Sequence, residues 1–165
     1  MHYRILIFSI ILFAASCEQH DPVSDFMENR KTGLSLYLYP STLRMINIDR
    51  NEEYDKMIRE VDKARFFRLD SGQFLSEDVS TLIIDLQENG FEEVMSVQDK
   101  NQDIRVMALE SKIPEIVVVS KKDKELMLLE IHGMINIAKI PKLIQTFSQN
   151  SFLDILNLNG DKKKK

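Results

Sequence analysis

The chain has 165 residues, of which 44% are apolar, and its 26 acidic and 22 basic residues give a net charge of −4. This length suits one domain with its own core, and the acidic balance argues against a nucleic-acid partner, which requires a basic face. The single cysteine excludes an internal disulfide.

The first seventeen residues have the pattern of a bacterial lipoprotein signal. Arg4 precedes a run over 5–15 that is apolar except at Ser9, and small residues lead to Cys17. A positive start, an apolar segment of about 7–15 residues and a small-residue cleavage site mark an export signal, and the run is shorter than the roughly 20 residues that cross a bilayer. The pattern predicts cleavage between Ser16 and Cys17, a lipid on Cys17 and anchoring in the cell envelope, at the outer membrane. The alternative is that a cysteine stands there by chance.

The remaining chain divides into three predicted segments. They are a polar tether over 17–23, one domain over 24–158 and a lysine-rich tail over 159–165. A terminal run of like charge such as Lys162–Lys165 is typical of a solvated, disordered end. Contact of these lysines with anionic lipid is the alternative.

The first half of the domain alternates short helices and strands. The pattern predicts helices over 24–31, 41–46 and 52–62, and strands over 34–38 and 64–69. Leu34, Leu36 and Leu38 alternate with polar or amphipathic residues, which is the period of a half-buried strand. Tyr54 and Val61 open and close an apolar stripe at helical spacing, which supports the helix over 52–62.

The second half contains the clearest helix, followed by four strands. The helix has Ser76 as its expected cap, and Asn89-Gly90 ends it. The apolar period then changes to two, which predicts strands over 91–97, 104–109, 115–120 and 125–132. Their short connections favour an antiparallel meander, and the strand over 115–120, apolar on both faces, is expected to be central. A last helix is predicted to carry Ile140, Ile144 and Phe147 on one stripe.

This element order predicts an α+β fold. We expect a two-layer sandwich in which a mostly antiparallel sheet of about five or six strands carries its helices on one face. The connection order of the first two strands stays open.

Four segments resemble a known family: residues 89–97 (NGFEEVMSV), 104–106 (IRV), 114–119 (PEIVVV) and 129–135 (LEIHGMI). With the final helix, they resemble the domain of unknown function 4252, over about residues 24–147. The resemblance implies a small exported lipoprotein of the kind found in Bacteroidota. It implies an envelope location and supplies no catalytic residues.

The sequence predicts no catalytic, cofactor or metal site. The histidines that follow the signal, His20 and His132, lie far apart and belong to no recognisable triad or zinc motif. The adjacent carboxylates Glu92 and Glu93 point to opposite faces of a strand and cannot act as an acid–base pair.

Two pairs of residues are candidate surface contacts. Glu130 and His132 share one face of a strand and could form a polar patch or a pH-sensitive contact. The alternative is that both simply face solvent while the residues between and before them pack inward. Tyr37 and Tyr39 share a face of the first strand, where they mark a contact surface or merely an edge.

Two functional classes fit these observations. The favoured one is a non-catalytic envelope lipoprotein that binds or regulates another envelope protein through an exposed strand or sheet face. The other is a hydrolase or a small-ligand-binding protein whose carboxylates converge only in the fold. A pocket that holds carboxylates with perturbed pKa values would support the second class.

Overall fold

The structure, a computed structural model, describes residues 20–28, 30, 33–47, 50 and 52–140. The strands are β1 (Leu34–Leu38), β2 (Val61–Leu69), β3 (Glu92–Gln98), β4 (Gln102–Leu109), β5 (Glu115–Lys122) and β6 (Glu125–Gly133). The helices are α1 (Pro22–Glu28), α2 (Pro40–Ile46), α3 (Glu52–Ile58) and α4 (Ser76–Glu88), and a 3₁₀ turn spans Ile137–Lys139. The predicted signal, most of the tether, the last helix beyond Ile140 and the tail lie outside the described residues. Within the described part of the chain, no helix is both long enough and apolar enough to cross a membrane.

The six strands form one antiparallel sheet in the order β1-β2-β6-β5-β4-β3. Strands β3 to β6 form the predicted meander. Its last strand, β6, pairs with β2, which joins the meander to the β1–β2 pair. The strand predicted to be central, β5, lies between β4 and β6 and is buried over 116–120. The α+β class and the antiparallel sheet are therefore confirmed.

The helices differ from the prediction because they cover both faces of the sheet. Leu43 of α2 and Met57 of α3 pack with Phe66 in one apolar core. Phe26 of α1 and Leu86 of α4 pack in a second core against side chains of the opposite face. Since successive residues of β5 and β6 are apolar on both faces, each face must be covered to remove it from water. One sheet thus separates two cores.

The helix predicted over 52–62 ends earlier, at Ile58. Val61 instead begins β2 and pairs with Gly133, the last residue of β6. Gly133 has a φ of 116°, and a Cβ there would collide with the carbonyl oxygen of Glu60. The same carbonyl accepts the backbone N–H of Met134 at 2.9 Å. This close backbone approach stops α3 and fixes the end of the sheet.

Three helices begin one or two residues before their predicted positions, and α2 does so at Pro40. Ser76, the expected cap of α4, is its first helical residue, and the side chain of Asp78 accepts the backbone N–H of Leu75 at 2.7 Å. A carboxylate three residues into the helix therefore satisfies a donor at its start. Helix α1 begins at Pro22, inside the predicted tether, and Val23 is buried. The packed part of the chain accordingly starts close to the predicted lipid site.

Candidate functional site

An open pocket of about 1000 Å³ lies at the end of the sheet where β5 begins and β6 ends. The start of α1 forms one wall and the loop over 110–114, between β4 and β5, forms another. Its titratable lining residues are His20, Asp21, Asp62, Lys63, Lys112, Glu115 and His132. Apolar surface comes from Pro22, Phe91, Leu109 and Ile113. The pocket therefore combines apolar walls with several convergent polar groups, as ligand sites commonly do.

A buried ion pair stands behind this pocket. Arg65 of β2 lies directly opposite Glu130 of β6, and its Nε donates to Oε2 of Glu130 at 2.8 Å, while its Nη2 contacts the same oxygen. Glu130 is 0% exposed and Arg65 is also buried. A charge that is removed from water is costly unless it is paired and hydrogen-bonded. Each of these two side chains thus needs the other.

Arg65 also ties the start of α1 to the sheet. Its Nη2 donates to Asp21 Oδ2 and its Nη1 donates to Ser24 Oγ, both at 2.6 Å. Asp21 in turn accepts the backbone N–H of Ser24 at 2.9 Å and its hydroxyl at 2.7 Å. Burial opposes ionisation of Asp21, but the hydrogen bonds from Ser24 and Arg65 outweigh it and hold the pKa of Asp21 below its usual value. Asp21 is therefore held in its ionised form.

On the other side, Glu130 connects to two further residues. Its Oε1 forms a hydrogen bond with Nε2 of His132, and Nδ1 of His132 lies 3.7 Å from Oε2 of Glu115. Glu115 and His132 face each other across β5 and β6. Burial raises the pKa of Glu115, and the nearby carboxylate of Glu130 raises it further. The charge of His132 lowers this pKa but does not cancel the rise. Protonation of Glu115 is therefore easier than that of an ordinary surface carboxylate.

Together these five side chains form what we call the charge chain: Asp21, Arg65, Glu130, His132 and Glu115. Its middle, Arg65 and Glu130, is buried. Both of its ends reach the same pocket, with Asp21 at one end and His132 and Glu115 at the other. The pocket thus has two carboxylates whose pKa values are shifted in opposite directions.

Part of the charge chain has the composition of a metal site. One ligand atom from each of Glu115, Glu130 and His132 lies within 4.8 Å of the others. Two carboxylates and an imidazole suit a divalent cation. However, Arg65 and His132 already engage both oxygens of Glu130, so an ion would have to displace a hydrogen bond. The contacts with Arg65 and His132 thus already partner the carboxylate of Glu130 without an ion.

The structure brings together two of the four predicted contact residues. Glu130 and His132 share a face as expected, but the alternative in which both face solvent is wrong for Glu130, which is completely buried. Tyr37 and Tyr39 are 56% and 54% exposed on and beside the edge strand β1, and neither lines the pocket. Ser16 and Cys17 lie outside the described residues.

Sequence reasoning missed Asp21, Arg65 and Glu115 as members of the site. A weak signal for Arg65 was present, because apolar residues flank it on both sides, although Asp62, Lys63 and Arg68 also interrupt this segment. A charge at the centre of a buried strand requires a partner. Asp21 and Glu115 carried no such signal, since Asp21 lies just before a helix and Glu115 is the first residue of a strand, where a carboxylate can reach solvent.

Comparison with known proteins identifies a family but no individual relative. No curated protein and no solved structure matches the chain. The profile of the family described as a domain of unknown function, DUF4252, matches residues 26–143. This match spans all six strands and includes Arg65, Glu115, Glu130 and His132, whereas Asp21 precedes it. The chain therefore belongs to the DUF4252 family.

Proposed function

We propose that this protein is a lipid-anchored, non-catalytic binding module of the cell envelope, and that the pocket at the end of the charge chain is its contact site. The anchor rests on the lipoprotein pattern that ends at Cys17. The single observation that carries the binding site is the pocket of about 1000 Å³, into which both ends of the charge chain open. A macromolecular partner in the envelope, rather than nucleic acid, fits the acidic balance of the chain.

The contacts of the histidines favour binding over catalysis. His132 is engaged by Glu130, and the two ring nitrogens of His20 contact Asp25 at 2.7 Å and Asp85 at 3.1 Å. Ser111, a hydroxyl at the pocket, donates to a backbone carbonyl of its own loop. A nucleophile needs a base within hydrogen-bond reach, and each of these groups is used in a structural contact. The arrangement is therefore suited to presenting fixed charges to a partner.

The anchor is tested by comparing the natural chain with a Cys17→Ala variant in cells. We expect the natural chain to incorporate a labelled fatty acid and to sediment with membranes, and the variant to lose both properties. Membrane association that survives in the variant would contradict the lipid anchor.

The binding site is tested by crosslinking in the native envelope, followed by mass spectrometry of the captured proteins. Glu115→Gln removes one charge at the pocket. The control, Glu125→Gln, removes one charge at the opposite end of β5 and β6, where Oε1 of Glu125 lies 3.6 Å from Nε of Arg68. We expect Glu115→Gln to reduce capture of a reproducible partner and Glu125→Gln to leave it unchanged. Equal capture by both variants would exclude the pocket as the contact site.

The opposite pKa shifts of Asp21 and Glu115 favour a second candidate, a hydrolase. Two carboxyl groups whose pKa values are separated by their surroundings can act as a base and an acid. Assay of the purified chain against ester, glycoside and phosphoester probes tests this function. Turnover that disappears in both Asp21→Asn and Glu115→Gln would favour the hydrolase over the binding module.

A further inference from the structure

The lipid site and the pocket are close together along the chain. His20 lines the pocket, and Cys17 precedes it by three residues. Because an extended chain advances at most about 3.3–3.6 Å per residue, the Cα atoms of Cys17 and His20 are no more than about 10 Å apart. A pocket of this volume is itself about 10 Å across. The end of the sheet that carries the pocket is therefore the end nearest to any lipid on Cys17.

The same end of the sheet presents an exposed apolar side chain beside a cation. Ile113 is 53% exposed and Lys112 is also exposed, and both lie in the loop over 110–114 that lines the pocket. The neighbouring Pro114 accepts the backbone N–H of Gly133 at 2.9 Å, which fixes the end of this loop to the end of β6. An apolar residue beside a lysine is suited to the boundary between headgroups and acyl chains.

The opposite end of the sheet lies far from this loop. The turn at Asp123 and Lys124 joins β5 to β6, which are eight and nine residues long. At about 3.3 Å per residue, these strands separate their two ends by about 25 Å. Val97, which is 48% exposed near the distant end of β3, provides a matched apolar position for comparison with Ile113.

We propose that the pocket end of the domain rests on the bilayer, with Ile113 in the headgroup layer and Lys112 beside lipid phosphates. This inference rests on the proposed lipid anchor. The occupant of this surface is the membrane to which the chain is attached, because only two residues separate Cys17 from His20, which lines the same pocket as the loop. Its consequence is that the envelope partner proposed above reaches the pocket along the membrane surface.

The test uses the lipidated chain with Ile113→Cys. The lipid occupies the sulfur of Cys17, so position 113 carries the one thiol available to a fluorophore. The labelled protein is reconstituted into vesicles of phosphatidylethanolamine and phosphatidylglycerol, part of which carry a nitroxide quencher on the headgroup. The control is Val97→Cys with the same label, and Lys112→Cys is a second position in the loop.

We expect about two-fold or greater quenching at 113 and 112 relative to 97. Equal quenching at the three positions, in protein that floats with the vesicles, would overturn the orientation while leaving the lipid anchor intact. Protein that does not float with the vesicles would instead overturn the anchor and, with it, the orientation. Flotation and quenching thus separate the two proposals.

Discussion

Arg65→Met tests the central contact of the charge chain. In this variant Glu130 stays buried and keeps only His132 as a partner, because its cross-strand guanidinium is gone. Removing one member of a buried ion pair costs about 3–5 kcal/mol, since an uncompensated charge remains out of water. For a chain of this size, that loss lowers the melting temperature by about 6–20 °C.

Arg68→Met is the matched control, because Arg68 lies on the same strand and also has a carboxylate partner. Its Nε is 3.6 Å from Oε1 of Glu125, and both side chains are partly exposed. Exposed or partly exposed ion pairs contribute about 0–1 kcal/mol, so this variant is expected to unfold at nearly the same urea concentration as the natural chain. Urea titration followed by far-ultraviolet circular dichroism measures both free energies of unfolding, and unchanged slopes show that the variants expose the same surface on unfolding.

A double variant separates loss of pairing from loss of packing. Replacing both partners, in Arg65→Met/Glu130→Leu, removes the buried charge together with its counterion and is expected to recover a large part of the stability that Arg65→Met loses. If Arg65→Met costs no more than Arg68→Met, or if the double variant is no more stable than Arg65→Met, the reasoning about the buried pair is refuted.

Three further predictions follow from local geometry. Because the folded pKa of Glu115 is raised, this residue contributes stability that is fully present below its unfolded pKa of about 4.3 and is lost as the pH rises. The folded pKa of Asp21 is lowered, so Asp21 contributes stability that is present above its unfolded pKa of about 3.9 and is lost on acidification. Urea titrations at pH 4 and pH 7 should therefore show Glu115→Gln gaining stability relative to the natural chain as the pH rises. Titrations between about pH 2.5 and pH 5 should show Asp21→Asn losing stability relative to the natural chain as the pH rises. Shifts of the same sign for the two variants would contradict one of the assignments. Gly133→Ala should destabilise the fold by more than about 1 kcal/mol, and by more than Gly72→Ala does. Both glycines have a positive φ, but a Cβ at Gly133 would also lie 2.9 Å from the backbone nitrogen of Asp62, whereas a Cβ at Gly72 would meet no atom. Equal melting temperatures of the two variants would count against the close approach. Asp78→Ala should cost about 1 kcal/mol by removing the acceptor at the start of α4, and a measured cost near zero would mean that water replaces it.

The fold was largely predictable because its signals are local. The change from a helical to a strand period after Gly90 correctly predicted the meander from β3 to β6. The helix predicted over 52–62 was too long. Its last apolar residue, Val61, fits the helical stripe but belongs to β2 in the structure. Periodicity cannot distinguish these uses, since the pairing of Val61 with Gly133 is a contact across 72 residues of chain. Covering of both sheet faces was missed for a related reason: the short helices α2 and α3 carry too few apolar residues to show which face they pack on.

The candidate site was less predictable because its contacts are long-range. Glu130 lies 65 residues from Arg65, and Arg65 lies 44 residues from Asp21. Period-two alternation showed that Glu130 and His132 share a face, but it could not show whether that face is covered. The cover comes from α1 and α4, whose packing depends on the whole second core.

The buried charges nevertheless contain information about the strand order that the sequence left open. Arg65 and Glu130 are oppositely charged, and each lies in the buried stretch of its strand. The desolvation cost of each is therefore reduced by pairing with the other. A one-residue slip between β2 and β6 would turn every side chain to the wrong face. A two-residue slip keeps the faces but places either Arg65 opposite Leu128 or Glu130 opposite Phe67, which leaves a charge without its partner. The ion pair therefore favours the observed register of β2 and β6 over registers that apolar packing alone would also allow. That register brings Asp21 and Glu115 to one pocket.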